Sequence, residues 1–230
     1  IIIALMLLFP AVSFAQEKVY CVNACPGEDA SSQINVSWDA DTTVTDSYLL
    51  VCEDGKQPVA YYPAQYLCDE FLNLPSASEQ GEKIVETPVF LRCKVALSGL
   101  KADTPYSYVI CSGSAKKAKS LRSAKGRLTD ERHFKTAGAD RWSACIISDF
   151  HSYTPLPARL ESAMAMVNTV KDYDKSIDWV LHLGDVCAWG GSHSFWRRLY
   201  REDNFKNLMW AGVNGNHDNM SRGYEKQSHA

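Results

Sequence analysis

The chain has 230 residues, of which 46% are hydrophobic and 22% are charged, and its formal net charge is −3 at pH 7. This length leaves room for one large domain or two small ones, and the composition excludes disorder as the main state. The slightly acidic balance argues against a general polyanion binder, although a local basic patch is compatible with it.

The first segment is an apolar run, residues 1–15, which ends in the small residues Ser13 and Ala15. It is typical of the hydrophobic region of a secretory signal peptide with its cleavage site, and it is short for a membrane span. No Met or basic region precedes it, so we expect a partial signal peptide. We therefore predict a secreted, periplasmic or extracellular protein without a stable membrane anchor after cleavage. A membrane anchor or a core segment is the alternative.

Cysteines are abundant, with 8 in the chain. Those that precede residue 112 are Cys21, Cys25, Cys52, Cys68, Cys93 and Cys111. Behind a signal peptide, they predict an oxidising compartment and a first domain held by disulfides, with the pairing left open. A zinc site at Cys21 and Cys25 is the alternative, but no second pair at matching spacing supports it. Cys145 and Cys187 are predicted to be small buried residues beside later strands.

Residues 16–138 alternate short apolar runs with turn signals, which predicts an all-β sandwich. Within this region, residues 97–108 carry a turn followed by Tyr106. This segment resembles the fibronectin type III signature, in which the hydroxyl of such a Tyr holds a corner of the sandwich. Residues 36–38 resemble the early strand of that family with its core residue Trp38. The many cysteines are a departure from the family pattern.

A basic run lies near the end of this region and contains Lys116, Lys117, Lys119, Arg122, Lys125 and Arg127. We interpret it as a solvated hairpin loop, and a contact for an anionic substrate or surface is the alternative. The run lacks interleaved aromatic residues, so no nucleic-acid partner is expected.

The pattern changes over residues 139–230, where apolar runs alternate with helix-like segments. The predicted strands cover residues 144–147, 179–183 and 208–213, and the predicted helices cover about 158–172 and 194–206. This β-α-β-α-β order predicts a parallel sheet with right-handed crossovers, and thus a partial α/β domain. Ligands of such sheets bind beyond the carboxyl ends of the strands.

A polar cluster follows each of these three strands. The clusters are Ser148-Asp149-Phe150-His151, Gly184-Asp185-Val186 and Gly215-Asn216-His217-Asp218. Their spacing corresponds to one βα unit each, and their carboxylate, imidazole and amide groups suit hard or borderline metal ions. The sequence therefore predicts a metal site for the hydrolysis of phosphate esters.

The predicted metal ligands are Asp149, His151, Asp185 and Asn216. The first two are separated by one residue, so their side chains would point the same way in an extended chain. Asp185 would bridge two ions about 3.5–4 Å apart, which bind a phosphate and lower the pKa of a shared water, giving a metal-bound hydroxide for in-line attack. We predict that His217 stabilises the developing charge or protonates the leaving oxygen, and that Asp218 orients its imidazole.

These clusters resemble the first three motifs of the calcineurin-like metallophosphoesterase family. The resemblance implies two Fe, Mn or Zn ions, a small phosphorylated substrate and cleavage of phosphate mono- or diesters. With the preceding sandwich, the architecture is similar to purple acid phosphatases, which have Asp-x-Gly in the first motif and a Tyr ligand after the second. This chain has His151 and Ala188 at those places. We therefore expect the general site of the family, without a tyrosinate-to-iron absorption band.

The family carries further histidine motifs later in its sequence, and this chain ends at Ala230. We therefore expect residues 139–230 to be the N-terminal part of a catalytic domain, with weak turnover. Among the other candidates, His182 is predicted to be a core residue and His193 a substrate contact. Trp189 is predicted to line the pocket mouth or to pack internally.

Two other functions remain open at this point. A non-catalytic binding or adhesion protein would use the sandwich alone. A second domain that had lost its catalytic role would be expected to lose its metal ligands first, and here those residues are present. A nucleotidase or nuclease would use the same metal site, and the lack of a broad basic surface disfavours the nuclease. The sequence does not choose among phosphorylated substrates.

Overall fold

The computed structural model describes residues 17–69, 88–113, 118–153 and 156–219 of the chain. The predicted signal peptide, residues 1–15, lies outside these ranges, as do Lys116 and Lys117 of the basic run. Within the described ranges, no helix is both long enough and apolar enough to cross a membrane.

The first part of the chain forms two antiparallel sheets. Its strands are β1 (Val19–Pro26), β2 (Ile34–Asp41), β3 (Ser47–Glu53), β4 (Val59–Tyr61), β5 (Ala64–Cys68), β6 (Phe90–Leu97), β7 (Pro105–Ser112) and β8 (Arg132–Lys135). One sheet has the order β1-β2-β6-β5 and the other β4-β3-β7-β8. The predominance of β structure in this part agrees with the sequence, while the fibronectin type III assignment remains a prediction.

The two sheets face each other across one hydrophobic core. In β2, Ile34, Val36 and Trp38 alternate with less buried residues, as expected for a strand with one face in a core. Ile110 of β7 belongs to the same cluster from the opposite sheet. The Trp38 indole N–H donates a hydrogen bond to Ser47 Oγ at 3.2 Å, so this buried polar atom has a partner.

Tyr106 holds a corner of this region, as predicted. Its hydroxyl accepts a hydrogen bond from the Lys101 backbone N–H at 3.0 Å. Its ring stacks on Phe134 of β8, with 5.3 Å between the ring centroids. The contact therefore joins the loop before β7 to the body of the sheet.

Replacing Tyr106 by Phe is expected to lower the free energy of unfolding by about 1–2 kcal/mol, because the Lys101 N–H loses its acceptor while the ring remains. Denaturant unfolding of the two proteins measures the difference. Tyr62→Phe is the control, since that side chain is 69% exposed, and no measurable change is expected there. Equal stability of Tyr106→Phe and the parent would show that the hydroxyl contributes nothing.

The disulfide prediction is not supported, because Cys21, Cys25, Cys52, Cys93, Cys111, Cys145 and Cys187 are unbridged thiols in the described part of the chain. Cys93 and Cys111 belong to different hydrophobic clusters, so the fold places them in separate packing environments. Cys93 Sγ lies 3.7 Å from Ser47 Oγ, and Cys111 packs beside Tyr48. Cys145 and Cys187 are buried, as predicted.

The second part is a parallel α/β unit. Its elements are β9 (Ala144–Ile147), α1 (Pro157–Tyr173), β10 (Trp179–His182), α2 (His193–Leu199), α3 (Asp203–Asn207) and β11 (Met209–Gly212). The sheet order is β11-β10-β9, and both pairings are parallel. The predicted strands are thus confirmed, but the single helix expected over 194–206 is two short helices. The interruption lies between Leu199 and Asp203, and after it Phe205 of α3 stacks on Trp210 at 4.0 Å between ring centroids.

The two parts share hydrophobic core. Trp179 of β10 and Met209 of β11 belong to the same buried cluster as the inward face of the two antiparallel sheets. Asn23 Nδ2 of β1 also donates a hydrogen bond to the Trp210 carbonyl at 3.1 Å. The parallel sheet is therefore supported by the sandwich, and its carboxyl ends lie where the three polar clusters begin.

Candidate metal centre

The loops after β9 and β10 run side by side and extend the parallel pairing of the two strands. The backbone N–H of Asp149 donates to the Gly184 carbonyl at 3.1 Å, and that of His151 donates to the Asp185 carbonyl at 2.9 Å. A further bond joins the Ser152 N–H to the Val186 carbonyl at 2.8 Å. These bonds fix the first two polar clusters against each other.

Asp149, His151 and Asp185 have left-handed backbone conformations, with φ of 60°, 45° and 56°. The chain from 149 to 151 is therefore not extended, contrary to the assumption made from sequence. The two side chains nevertheless approach one another, since His151 Nε2 lies 3.8 Å from Asp149 Oδ1. Such strained positions persist only where their surroundings hold them, and they concentrate at functional sites.

Three side chains from the three clusters converge at this edge of the sheet. Potential ligand atoms of His151, Asp185 and His217 all lie within 4.8 Å of one another. His151 Nε2 is 3.9 Å from Asp185 Oδ2, and the His151 and His217 rings are 4.6 Å apart between centroids. Two imidazoles and a carboxylate form a donor set that fits a borderline divalent ion.

The backbone holds the His217 ring in a defined orientation. Its Nδ1–H donates to the Ala188 carbonyl at 2.8 Å, which leaves Nε2 as the ring atom available to the cluster. Its backbone N–H donates to Asp185 Oδ1 at 2.9 Å. A hydrogen bond therefore joins the Asp185 carboxylate directly to the third polar cluster.

The Asp218 carboxylate is fully buried, with Oδ1 accepting from the Cys187 N–H at 2.9 Å and Oδ2 accepting from the Gly215 N–H at 3.0 Å. It thus connects two loops, and the orienting role of Asp218 stays a prediction. The Ala188 carbonyl accepts from the His217 ring. Sequence could not show this, because a carbonyl acceptor has no signature in the residue type.

Glycine is required where these loops approach one another. A Cβ on Gly215 would lie 2.1 Å from Asp185 Oδ1, and a Cβ on Gly184 would lie 2.8 Å from the Gly215 Cα. Gly184 also has a φ of 106°, which side chains rarely tolerate. Both glycines therefore allow the Asp185 carboxylate and the third cluster to meet.

A cavity of about 550 Å³ opens beside the cluster, and its lining residues are Asp149, Phe150, His151, Arg159, Ala188, Trp189 and His217. Trp189 thus lines the cavity, in agreement with one of the two predictions for it. Arg159 was missed from sequence, although its position in the first turn of α1, directly after the first cluster, could have indicated it. Its guanidinium carbon lies 5.8 Å from the Tyr153 ring centroid.

The comparison with protein families agrees with this geometry. Residues 144–229 match the Calcineurin-like phosphoesterase family. The match contains all three polar clusters, so the resemblance predicted from their residues is confirmed. We refer to this part of the chain as the phosphoesterase segment.

The fold of the chain resembles that of the purple acid phosphatase PPD1 isolated from yellow lupin (Lupinus luteus) seeds. The TM-score is 0.63 at 16% identity, and the match covers 87% of this chain and 36% of the lupin chain. The chain therefore spans little more than a third of that protein. A structure of PhoD also matches, with a TM-score of 0.44 and 13% identity over 91% of this chain and 41% of that one. No curated protein matches the chain.

Two of the predicted metal ligands, Asp149 and Asn216, are exposed and do not belong to the group of His151, Asp185 and His217. Asn216 precedes His217 in the same loop and has an exposed side chain. Asp149 is also exposed, and its carboxylate accepts a hydrogen bond from Ser148 Oγ. Their roles as metal ligands remain predictions.

His182 is a core residue, as predicted, and it lies directly behind the site. Its ring is 2% exposed, and its Nδ1 accepts a hydrogen bond from the Gly184 N–H at 3.2 Å. Burial lowers the pKa of His182 to about 4, so the ring is neutral near pH 7. It therefore supports the turn that carries Asp185.

His193, predicted as a substrate contact, lies away from the strand-end cavity, and that role stays a prediction. This residue is 1% exposed and packs against the first part of the chain, because α2 lies on β1. Its Nε2 is 3.3 Å from Asp39 Oδ2, and its ring stacks on Phe90 at 4.3 Å between centroids. Burial alone would raise the pKa of Asp39, but hydrogen bonds from His193 and Arg92 hold it below its usual value.

Proposed function

We propose that the phosphoesterase segment carries the metal-binding edge of a hydrolase that cleaves phosphate mono- or diesters. The observation that carries this proposal is the convergence of His151, Asp185 and His217 within 4.8 Å at the carboxyl ends of parallel strands. The family match over residues 144–229 supports the same reaction class.

In this proposal, Asp149, His151, Asp185 and Asn216 hold two metal ions of the Fe, Mn or Zn class. When bound, the ions supply the Lewis acidity that polarises the phosphoryl group. His217 is not one of the ligands in this proposal: its Nδ1–H donates to the Ala188 carbonyl, and as an imidazolium it would donate the Nε2 proton to the leaving oxygen.

The substrate is a small phosphorylated molecule that enters the 550 Å³ cavity. Arg159 at the cavity wall supplies a positive charge for the phosphate oxygens, which a guanidinium can bind with two parallel hydrogen bonds. We also propose secretion by way of residues 1–15, with the sandwich of residues 16–138 as the scaffold for the segment of residues 139–230.

Replacing Arg159 by Gln is expected to weaken binding of inorganic phosphate to the metal-loaded protein by about tenfold, because one charge-assisted contact is lost. Calorimetric titration with phosphate measures the change, and metal affinity should stay the same. Arg141→Gln, at another exposed arginine, is the control. Unchanged phosphate affinity in Arg159→Gln would contradict the proposed contact.

The reaction class is tested with two aryl esters that share one leaving group, a phosphate and an acetate. The proposal predicts metal-dependent release of the phenol from the aryl phosphate, with little release from the acetate. Hydrolysis of the acetate at a rate equal to that of the phosphate would contradict phosphoester specificity.

A further inference from the structure

A second cluster of metal-binding residue types lies where the sandwich meets the phosphoesterase segment. It consists of Cys21 from β1, Asp39 from β2 and His193 at the start of α2, and we call it the junction cluster. One ligand atom from each residue lies within 4.8 Å of the other two. It shares no residue with the cluster of His151, Asp185 and His217.

The distances within the junction cluster suit a tetrahedral ion. His193 Nε2 lies 3.3 Å from Asp39 Oδ2 and 4.0 Å from Cys21 Sγ. Typical Zn–N, Zn–O and Zn–S bond lengths at tetrahedral angles give about 3.3 Å between N and O ligands and about 3.6 Å between N and S ligands. The observed N–O distance thus equals the tetrahedral value, and the observed N–S distance exceeds it by a few tenths of an ångström.

The surroundings hold these side chains before any ion arrives. The His193 ring lies between Phe90, which stacks on it at 4.3 Å, and Tyr20, whose ring is 5.3 Å away edge-on. Arg92 donates to both oxygens of Asp39, from Nε to Oδ1 at 2.9 Å and from Nη2 to Oδ2 at 3.2 Å, so Oδ2 would share its lone pairs between the guanidinium and an ion. Such outer contacts orient metal ligands in known sites.

A fourth ligand has room to enter. A cavity of about 170 Å³ adjoins the junction cluster and is lined by Cys21, Ser37, Asp39, Arg92, Lys94, Trp196 and Tyr200. This volume admits a water molecule, and its two cationic side chains also favour a small anion. A thiolate and a carboxylate together supply two negative charges, and the carboxylate shares its charge with Arg92.

We propose that Cys21, Asp39 and His193 bind a divalent ion of the Zn²⁺ class, with a solvent molecule as the fourth ligand. On binding, the Cys21 thiol releases its proton to the solvent and its sulfur bonds to the metal. The ion then joins two strands of the sandwich to the helix that follows the second polar cluster. This is a structural role, distinct from the proposed hydrolysis.

Cobalt(II) distinguishes this site from the strand-end site, since only the junction cluster contains a thiol. Titration of the reduced chain with Co²⁺ is expected to produce a thiolate-to-cobalt absorption band in the near ultraviolet, saturating at one thiolate-bound cobalt per chain. Cys21→Ser should lose this band, whereas Cys25→Ser, a control four residues away on the same strand, should keep it. A band retained in Cys21→Ser, or no band at saturation in the parent, overturns the proposal.

A second variant keeps the test decisive if Cys21→Ser fails to fold. Asp39→Asn keeps the shape of the side chain and is expected to lower Co²⁺ affinity at the junction cluster by about tenfold or more, as measured by titrating the thiolate-to-cobalt band. Circular dichroism of both variants without metal reports whether they fold. A folded Asp39→Asn protein whose thiolate-to-cobalt band titrates with parent-like affinity overturns the proposal, whether or not phosphate esters are hydrolysed.

Discussion

Asp185→Asn is expected to weaken metal binding at the strand-end cluster by at least about 100-fold, because loss of an outer contact alone costs roughly 10–100-fold and here a charged ligand is lost. The Asp185 carboxylate is the one anionic member of the group with His151 and His217. The amide of Asn can still accept the His217 N–H through Oδ1, so the loops should keep their positions. Calorimetric titration with Mn²⁺ measures the affinity.

The control for this change is Asp172→Asn, which removes a carboxylate from the exposed part of α1. Asp172 pairs with Lys175 on the surface, so its loss should leave Mn²⁺ affinity unchanged. Parent-like affinity in folded Asp185→Asn would show that the cluster is not the metal site. A loss of affinity in both variants would show that the effect is one of overall charge.

Gly190→Ala is expected to destabilise the protein by about 3 kcal/mol or more, and thus to lower its melting temperature by about 6–12 °C. A Cβ on Gly190 would lie 1.7 Å from the Asp218 carbonyl oxygen and 2.2 Å from the Asp218 carbonyl carbon. Both are backbone atoms, so rotation of a side chain cannot relieve the contact. Thermal unfolding of the variant measures the cost.

The same substitution should also lower metal affinity, because the Gly190 N–H donates to the His217 carbonyl at 2.9 Å and separation of the loops displaces His217. Gly55→Ala is a control with open space around the new Cβ, where only the positive φ of 73° opposes the change. It should cost about 1–2 kcal/mol without affecting metal affinity. A Gly190→Ala protein of parent-like stability would contradict the close approach of these loops.

The strands of the phosphoesterase segment were predictable because each depends on local sequence. The strand Ala144–Ile147 is a short buried run, and Trp179–His182 differs from the prediction by one residue. Parallel strands bring their carboxyl ends together, so the convergence of Asp185 with His151 followed from the topology. The Tyr106 hydroxyl contact was similarly predictable, since its partner is only five residues away.

Contacts between residues remote in sequence could not be predicted. His193 packs on Asp39, which lies 154 residues earlier, and no local pattern indicates that contact. The His217 ring donates to the Ala188 carbonyl, 29 residues earlier, and a backbone acceptor leaves no trace in the residue types. The cysteine count suggested disulfides, but pairing depends on where the sheets place each thiol.

The most direct test of the account is removal and return of metal in one preparation of the protein, followed by hydrolysis of an aryl phosphate. The account predicts that a chelator abolishes hydrolysis, that added Mn²⁺ or Zn²⁺ restores it, and that Asp185→Asn is not restored. Hydrolysis that persists in the chelated protein, or that fails to appear in the folded, metal-loaded parent, would contradict it.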